Sequence, residues 1–203
     1  MNYQTTLLED WIKEFYKNIG IFHPHQLDFM EIAARIGLSV EFQEFSSRTY
    51  RGEIILDKRL SPEDQWDDFA HEICHILRHY GNQLNMPELF FKHQEGQADN
   101  FSLHFCIPTF MLLKYEVTNF SNVIDGIPFV AKTFKVTEQF AKKRLIQYRN
   151  QIQRSKSDQE FRIYMNAKHP KLNPENYSDE TKSILDKLHR QLDKKNTKEG
   201  MLV

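Results

Sequence analysis

The segment His71-Glu72-Ile73-Cys74-His75 sets two imidazoles four residues apart, with a carboxylate beside the first. On an α-helix, positions i and i+4 lie one above the other on the same face, so both rings reach a single ion. This is zinc-hydrolase spacing, and Glu72 is placed to serve as general base towards a water at such a site. A catalytic zinc takes a third protein ligand and keeps one position open. Glu95 is the best candidate for that ligand, in Glu95-Gly96-Gln97-Ala98-Asp99, expected to open the next helix. One turn later, Asp99 is expected to accept the spare N–H of His71 or His75, and small Ala98 to let the two helices approach closely.

These residues need two helices folded back on one another. The first has a clear start: Ser61 as N-cap, Pro62 at the first helical position, then Glu63 and Asp64 at the positive end of the dipole. Its pattern runs to Tyr80, with Gly81 as stop, and a loop over 82–92 leads to a helix over about 93–105. Upstream, helices are expected over 5–19 and 25–36. The alternating LSVEFQEF then predicts one strand, and Glu53–Asp57 a second, antiparallel to it across a turn at 46–52.

With its motifs in view, the sequence resembles the ImmA/IrrE family of metallopeptidases. That family joins a His-Glu-x-x-His helix to a Glu-x-x-Ala-Asn/Asp-x-Phe-Ala segment ending in Leu-Leu-Met-Pro. His71, Glu72, His75, Glu95, Ala98, Asp99, Phe101 and Pro108 fall on matching positions, and IAARIGLSVEF is similar to the run that precedes them. Three positions depart from the pattern: Cys74, Gln97 and Ser102 stand where glycine, an acidic residue and alanine are common. None is a proposed ligand or the base. The resemblance implies an α+β fold: a mostly helical, zincin-like metallopeptidase domain with a short β-sheet beside the metal-binding helix, plus a helical C-terminal extension. It also implies Zn2+ and proteolysis of a helix-turn-helix repressor, releasing a prophage, mobile element or stress response. The rival reading is an anti-repressor that captures the repressor without cutting it. A third is a DNA-binding regulator with a vestigial zinc.

Composition narrows the partners. With 203 residues, 40% of them hydrophobic, the chain can build one sizeable core and an appendage. Its 27 Lys+Arg against 28 Asp+Glu give a net charge of -1, far from the basic balance of a protein that coats nucleic acid. The average conceals a slope, from 16 basic and 20 acidic residues over 1–150 to 11 and 8 over 151–203. The expected division is a peptidase domain over 1–118, a helix-turn-helix-like segment over 119–150, and a basic, partly disordered tail over 151–203 with one amphipathic helix. In the middle segment, Phe129, Val130, Phe134, Phe140 and Leu145 are expected to pack on the peptidase. DNA contact through 127–148, using Lys142, Lys143 and Arg144, is the lesser reading.

No apolar stretch is long enough to cross a bilayer, and two cysteines with no visible secretory signal suit a reducing cytoplasm. Cys74 is expected to be small and buried. His79 is expected as a supporting or surface group, and His79, Tyr80, His93 and His104 are all available as donors to a transition state. Oligomeric state stays open.

Overall fold

The computed structural model describes residues 3–79, 86–115, 123–169 and 173–199. Tyr80, Gly81 and the expected boundary at 118/119 lie outside them. Two units emerge, residues 1–155 and 156–203.

In the first unit, α1 (Leu7–Asn18) starts with a capping box. The Thr6 hydroxyl accepts from the Glu9 N–H at 3.3 Å, and the Glu9 carboxylate accepts from the Thr6 N–H at 2.7 Å. α2 (Phe29–Ile36) begins later than its apolar pattern suggests. Asp28 caps it by accepting from the Glu31 N–H, and Pro24–Gln26 form a separate 3-10 turn. Gly37, at φ 73°, ends it.

The sheet corrects the expected antiparallel pairing. β1 (Val40–Gln43) runs parallel to β3 (Glu53–Asp57), and β2 (Arg48–Tyr50) pairs antiparallel with β3 on its other edge. The order is therefore β1-β3-β2. The cause is local: Arg51 and Gly52 both take positive φ, 52° and 83°, which makes a two-residue hairpin from Tyr50 to Glu53. The hairpin fills the edge beside β3, so β1 pairs on the opposite side in the parallel sense.

α3 (Pro62–Arg78) starts as expected, with the Asp64 N–H donating to Ser61 Oγ at 3.1 Å. α4 (Glu88–Cys106) starts at Pro87 rather than at 93, so Glu95 lies well inside it rather than opening it. After the short α5 (Thr109–Leu112) come α6 (Val123–Phe134) and α7 (Glu138–Lys168). They flank a turn in which Lys135 takes φ 55°. In the second unit α7 runs on to Lys168, and α8 (Asp179–Glu199) follows a 3-10 turn. Helix thus covers 151–168 and 179–199, where partial disorder and a single helix were expected. No described helix is long and apolar enough to cross a membrane.

The core of the first unit joins Ile12 and Tyr16 of α1, Ile54 and Leu56 of β3, Phe69 and Ile73 of α3, and Phe101 and Phe105 of α4. Val130, Phe134, Phe140 and Leu145 complete the same cluster, so α6 and the start of α7 pack into the core that holds α3 and α4. Phe129 does not join them; it is 44% exposed and meets Tyr115 edge-on.

Arg144 also departs from expectation, because it is fully buried and no part of a DNA-facing surface. Its Nη2 donates to Thr109 Oγ1 at 2.6 Å and its Nε to the Ile107 carbonyl at 3.3 Å, while Thr109 donates to Glu9 at 2.5 Å. Tyr3 donates to the same Glu9 oxygen at 2.7 Å. Burial alone raises the Glu9 carboxyl, but the hydrogen bonds from Thr109, Tyr3 and Thr6, with Arg144 nearby, hold it below its usual range.

His104 lies 3.6 Å from the same carboxylate. Burial, then the Arg144 guanidinium, hold this imidazole well below its ordinary 6.5. The folded protein therefore keeps His104 neutral while the unfolded chain takes up a proton below about pH 6.5. With more protons bound in the unfolded state, stability falls as the pH drops through this window. Urea titrations of the metal-free protein between pH 7 and 5 are expected to show that loss, and His104→Gln to flatten part of it. An identical slope in the variant would place the acid sensitivity elsewhere.

Candidate metal centre

α3 and α4 form the most extensive helix pairing among the described residues. They run antiparallel: Cys106 reaches the Trp66 carbonyl near one end, and Asp99 then Glu95 meet His71 and His75 towards the other. Fully buried Ala98 sits within this pairing, and its small side chain permits the close approach.

One helical turn apart, His71 and His75 turn their Nε2 atoms together, 3.1 Å from each other. Glu95 faces both from α4, with Oε2 at 3.3 Å from His71 Nε2 and Oε1 at 3.5 Å from His75 Nε2. Ligand atoms of the three residues lie within 4.8 Å of one another. Two imidazole nitrogens and a carboxylate are the donor set a zinc ion takes when one position is kept open, so the residues fit the ion. The cluster is reachable, since the Glu95 side chain is about one-third exposed whereas that of His75 is only 8% exposed.

The outer nitrogens of both rings are engaged. His71 Nδ1 lies 3.1 Å from Asp99 Oδ1, the contact expected of Asp99. His75 Nδ1 lies 2.9 Å from His79 Nδ1. Burial, followed by the neighbouring His71 and His79, pushes His75 down to about 4. It is thus a neutral, ligand-ready imidazole at pH 7.

Glu72 lies beside β2, where the Thr49 backbone is among the groups that act on its carboxylate. Burial, reinforced by the Asp68 and Glu95 carboxylates and opposed by His71 and Thr49, lifts it to about 7. A carboxyl poised there exchanges protons readily at neutral pH. A cavity of about 260 Å³ opens beside His71, with Asp67, Asp68, Asp99 and Lys143 in its walls. A larger one, about 430 Å³, lies over Glu9 and Arg144 and includes none of the cluster residues.

A model of peptidase family M78, described as the IrrE N-terminal-like domain, matches residues 39–146. The chain belongs to the M78 peptidase family. The matched stretch is just over half of the chain and contains His71, Glu72, His75, Glu95 and Asp99. Phage-like element PBSX protein XkdA of Bacillus subtilis (strain 168) is 40% identical over 142 residues, 68% of this chain and 71% of that protein. Uncharacterized protein YqaB of the same organism is 40% identical over 158 residues, 75% of this chain and 91% of that protein. The M78 assignment fits the α+β fold, in which a three-stranded sheet accompanies the helix carrying both histidines.

The remaining expected site residues fall elsewhere. His104 belongs to the buried Glu9 network, and His93 is exposed on α4. Cys74 is buried, which pushes its thiol to about 12 and makes it a packing residue rather than a nucleophile. Two neighbours escaped sequence reasoning: Thr49, beside Glu72, and Gln97, which shares a cavity wall with His79. The Arg51-Gly52 pair was the available signal for Thr49, because a glycine second in a two-residue turn marks a hairpin. Gln97 carried no signal beyond sharing the α4 segment with Glu95 and Asp99.

Proposed function

We propose that this protein is a zinc-dependent endopeptidase that cleaves a helix-turn-helix transcriptional repressor in the cytoplasm, and so acts as an anti-repressor for a phage-like or mobile element. The observation that carries this reading is the meeting of His71, His75 and Glu95 from two helices, with Glu72 one residue from the first of them. M78 membership supports the peptidase part, and the phage-like element named in XkdA supports the biological setting.

His71, His75 and Glu95 would hold the ion, and Asp99 keeps the His71 ring turned with Nε2 inward. When bound, the ion supplies Lewis acidity for the scissile carbonyl. Glu72 takes a proton from the attacking water and returns it to the departing amide nitrogen, the two-way task of a general acid–base carboxyl.

Incubation with the repressors encoded beside its gene tests the proposal. Discrete fragments are expected with zinc present, none with chelator, and recovery when zinc is restored. His71→Ala is expected to lose both zinc and cleavage. Fragments that persist undiminished in chelator and in His71→Ala overturn the mechanism.

A further inference from the structure

The two histidines of the cluster are backed by unlike partners. His71 Nδ1 faces the Asp99 carboxylate, whereas His75 Nδ1 faces another imidazole, that of His79, at 2.9 Å. An imidazole whose Nε2 lone pair is given to an ion must carry its proton on Nδ1. His75 Nδ1–H therefore donates to His79 Nδ1, which must be an unprotonated acceptor. That assignment puts the His79 proton on Nε2. Gln97 lines the same cavity as His79, and its amide oxygen is the group there that can accept this proton.

Chain geometry makes the contact possible. His79 is where α3 ends, at φ -107° and ψ 136°, with its N–H still bonded to the His75 carbonyl. The backbone leaves the helix there, and the ring turns back over the preceding turn. α4 in turn supplies Glu95, Gln97 and Asp99 within five successive residues. One short helical segment thus carries a ligand, the partner of His71 and the partner of His79.

We infer that His79 is a positioning residue of the metal centre, fixing the tautomer and ring angle of His75 through a neutral imidazole–imidazole hydrogen bond that Gln97 holds in place. The inference rests on reading His71, His75 and Glu95 as ligands. A neutral partner also has an electrostatic use. Glu72, Glu95 and Asp99 already bring carboxylates to the site, with Asp67 and Asp68 beside His71, and a carboxylate behind His75 would add to the negative field around the ion.

Zinc affinity of the full chain, measured by competition with a chromophoric chelator, and the visible spectrum of the Co2+-loaded protein test it. If the unaltered protein binds neither metal, the ligand reading itself fails. Given binding, His79→Ala is expected to weaken zinc about 10–100-fold and to shift the Co2+ bands. Thermal unfolding of the metal-free protein should change little. His79→Asn should restore most of the affinity and the native spectrum, because its Oδ1 offers an acceptor where Nδ1 stood. Gln97→Leu should give a smaller loss. His79→Ala binding zinc as tightly as the unaltered protein overturns the inference, as does His79→Asn binding no better than His79→Ala. Should His79→Ala fail to fold, His79→Asn and Gln97→Leu decide: native spectrum and affinity in the first with a loss in the second supports the relay, and any other pattern overturns it.

Discussion

Glu72→Gln is expected to cut repressor cleavage by about 10²–10⁴-fold while leaving zinc content and fold intact. Glutamine keeps the length and shape of the side chain and one acceptor oxygen, so the packing of this position beside β2 survives. The variant loses only the ability to take up and release a proton near neutral pH. Fragment yield under single-turnover conditions, read beside metal content and circular dichroism, separates these effects. A comparison in cells is equally decisive. If Glu72→Gln still derepresses fully and the repressor remains full length, capture replaces cleavage as the operative activity.

Arg144→Ala is expected to be the most destabilising single change, by about 3–5 kcal/mol. Arg144 has no exposed surface, and its removal leaves the Glu9 carboxylate buried without its cation and Thr109 without a donor. Such a loss is a large fraction of the 5–15 kcal/mol typical of a folded domain. Chemical unfolding of the full chain measures it. The paired change Glu9→Gln with Arg144→Met should recover much of the deficit, because replacing both members of a buried ion pair leaves no charge stranded. A loss below about 1 kcal/mol in Arg144→Ala would mean that water or another group already neutralises Glu9.

Local chemistry was legible in the sequence, and distant pairing was not. Ser61, Pro62, Glu63 and Asp64 announce α3 because capping and dipole effects act within one turn. The four-residue spacing of His71 and His75 implied their shared face, and the neighbourhood of Glu95 and Asp99 followed from a tight return of the chain. The early start of α4 was hidden because its first turn buries little: Leu89 and Phe90 are 85% and 53% exposed, so no amphipathic pattern marks it. β2 is three residues long, and its side chains do not alternate in burial strongly enough to stand out. Arg144 sits in a run of basic residues whose other members are exposed, and its acidic partner lies in the first helix. No window of local sequence could connect the two.

The Glu9 carboxylate has two duties at opposite scales. One oxygen completes the cap of its own helix, and the other accepts from Thr109 and faces Arg144, near the end of the peptidase unit. During synthesis, α1 emerges long before α7. Without Arg144, burial of the Glu9 carboxylate would be costly, so the docking of α1 depends on a residue far along the chain. Helices α3 and α4, which carry His71, His75 and Glu95, thus share one core with an α1 whose buried carboxylate meets its cation only at the start of α7, so that a change at either end of the unit is felt in the core beneath the cluster.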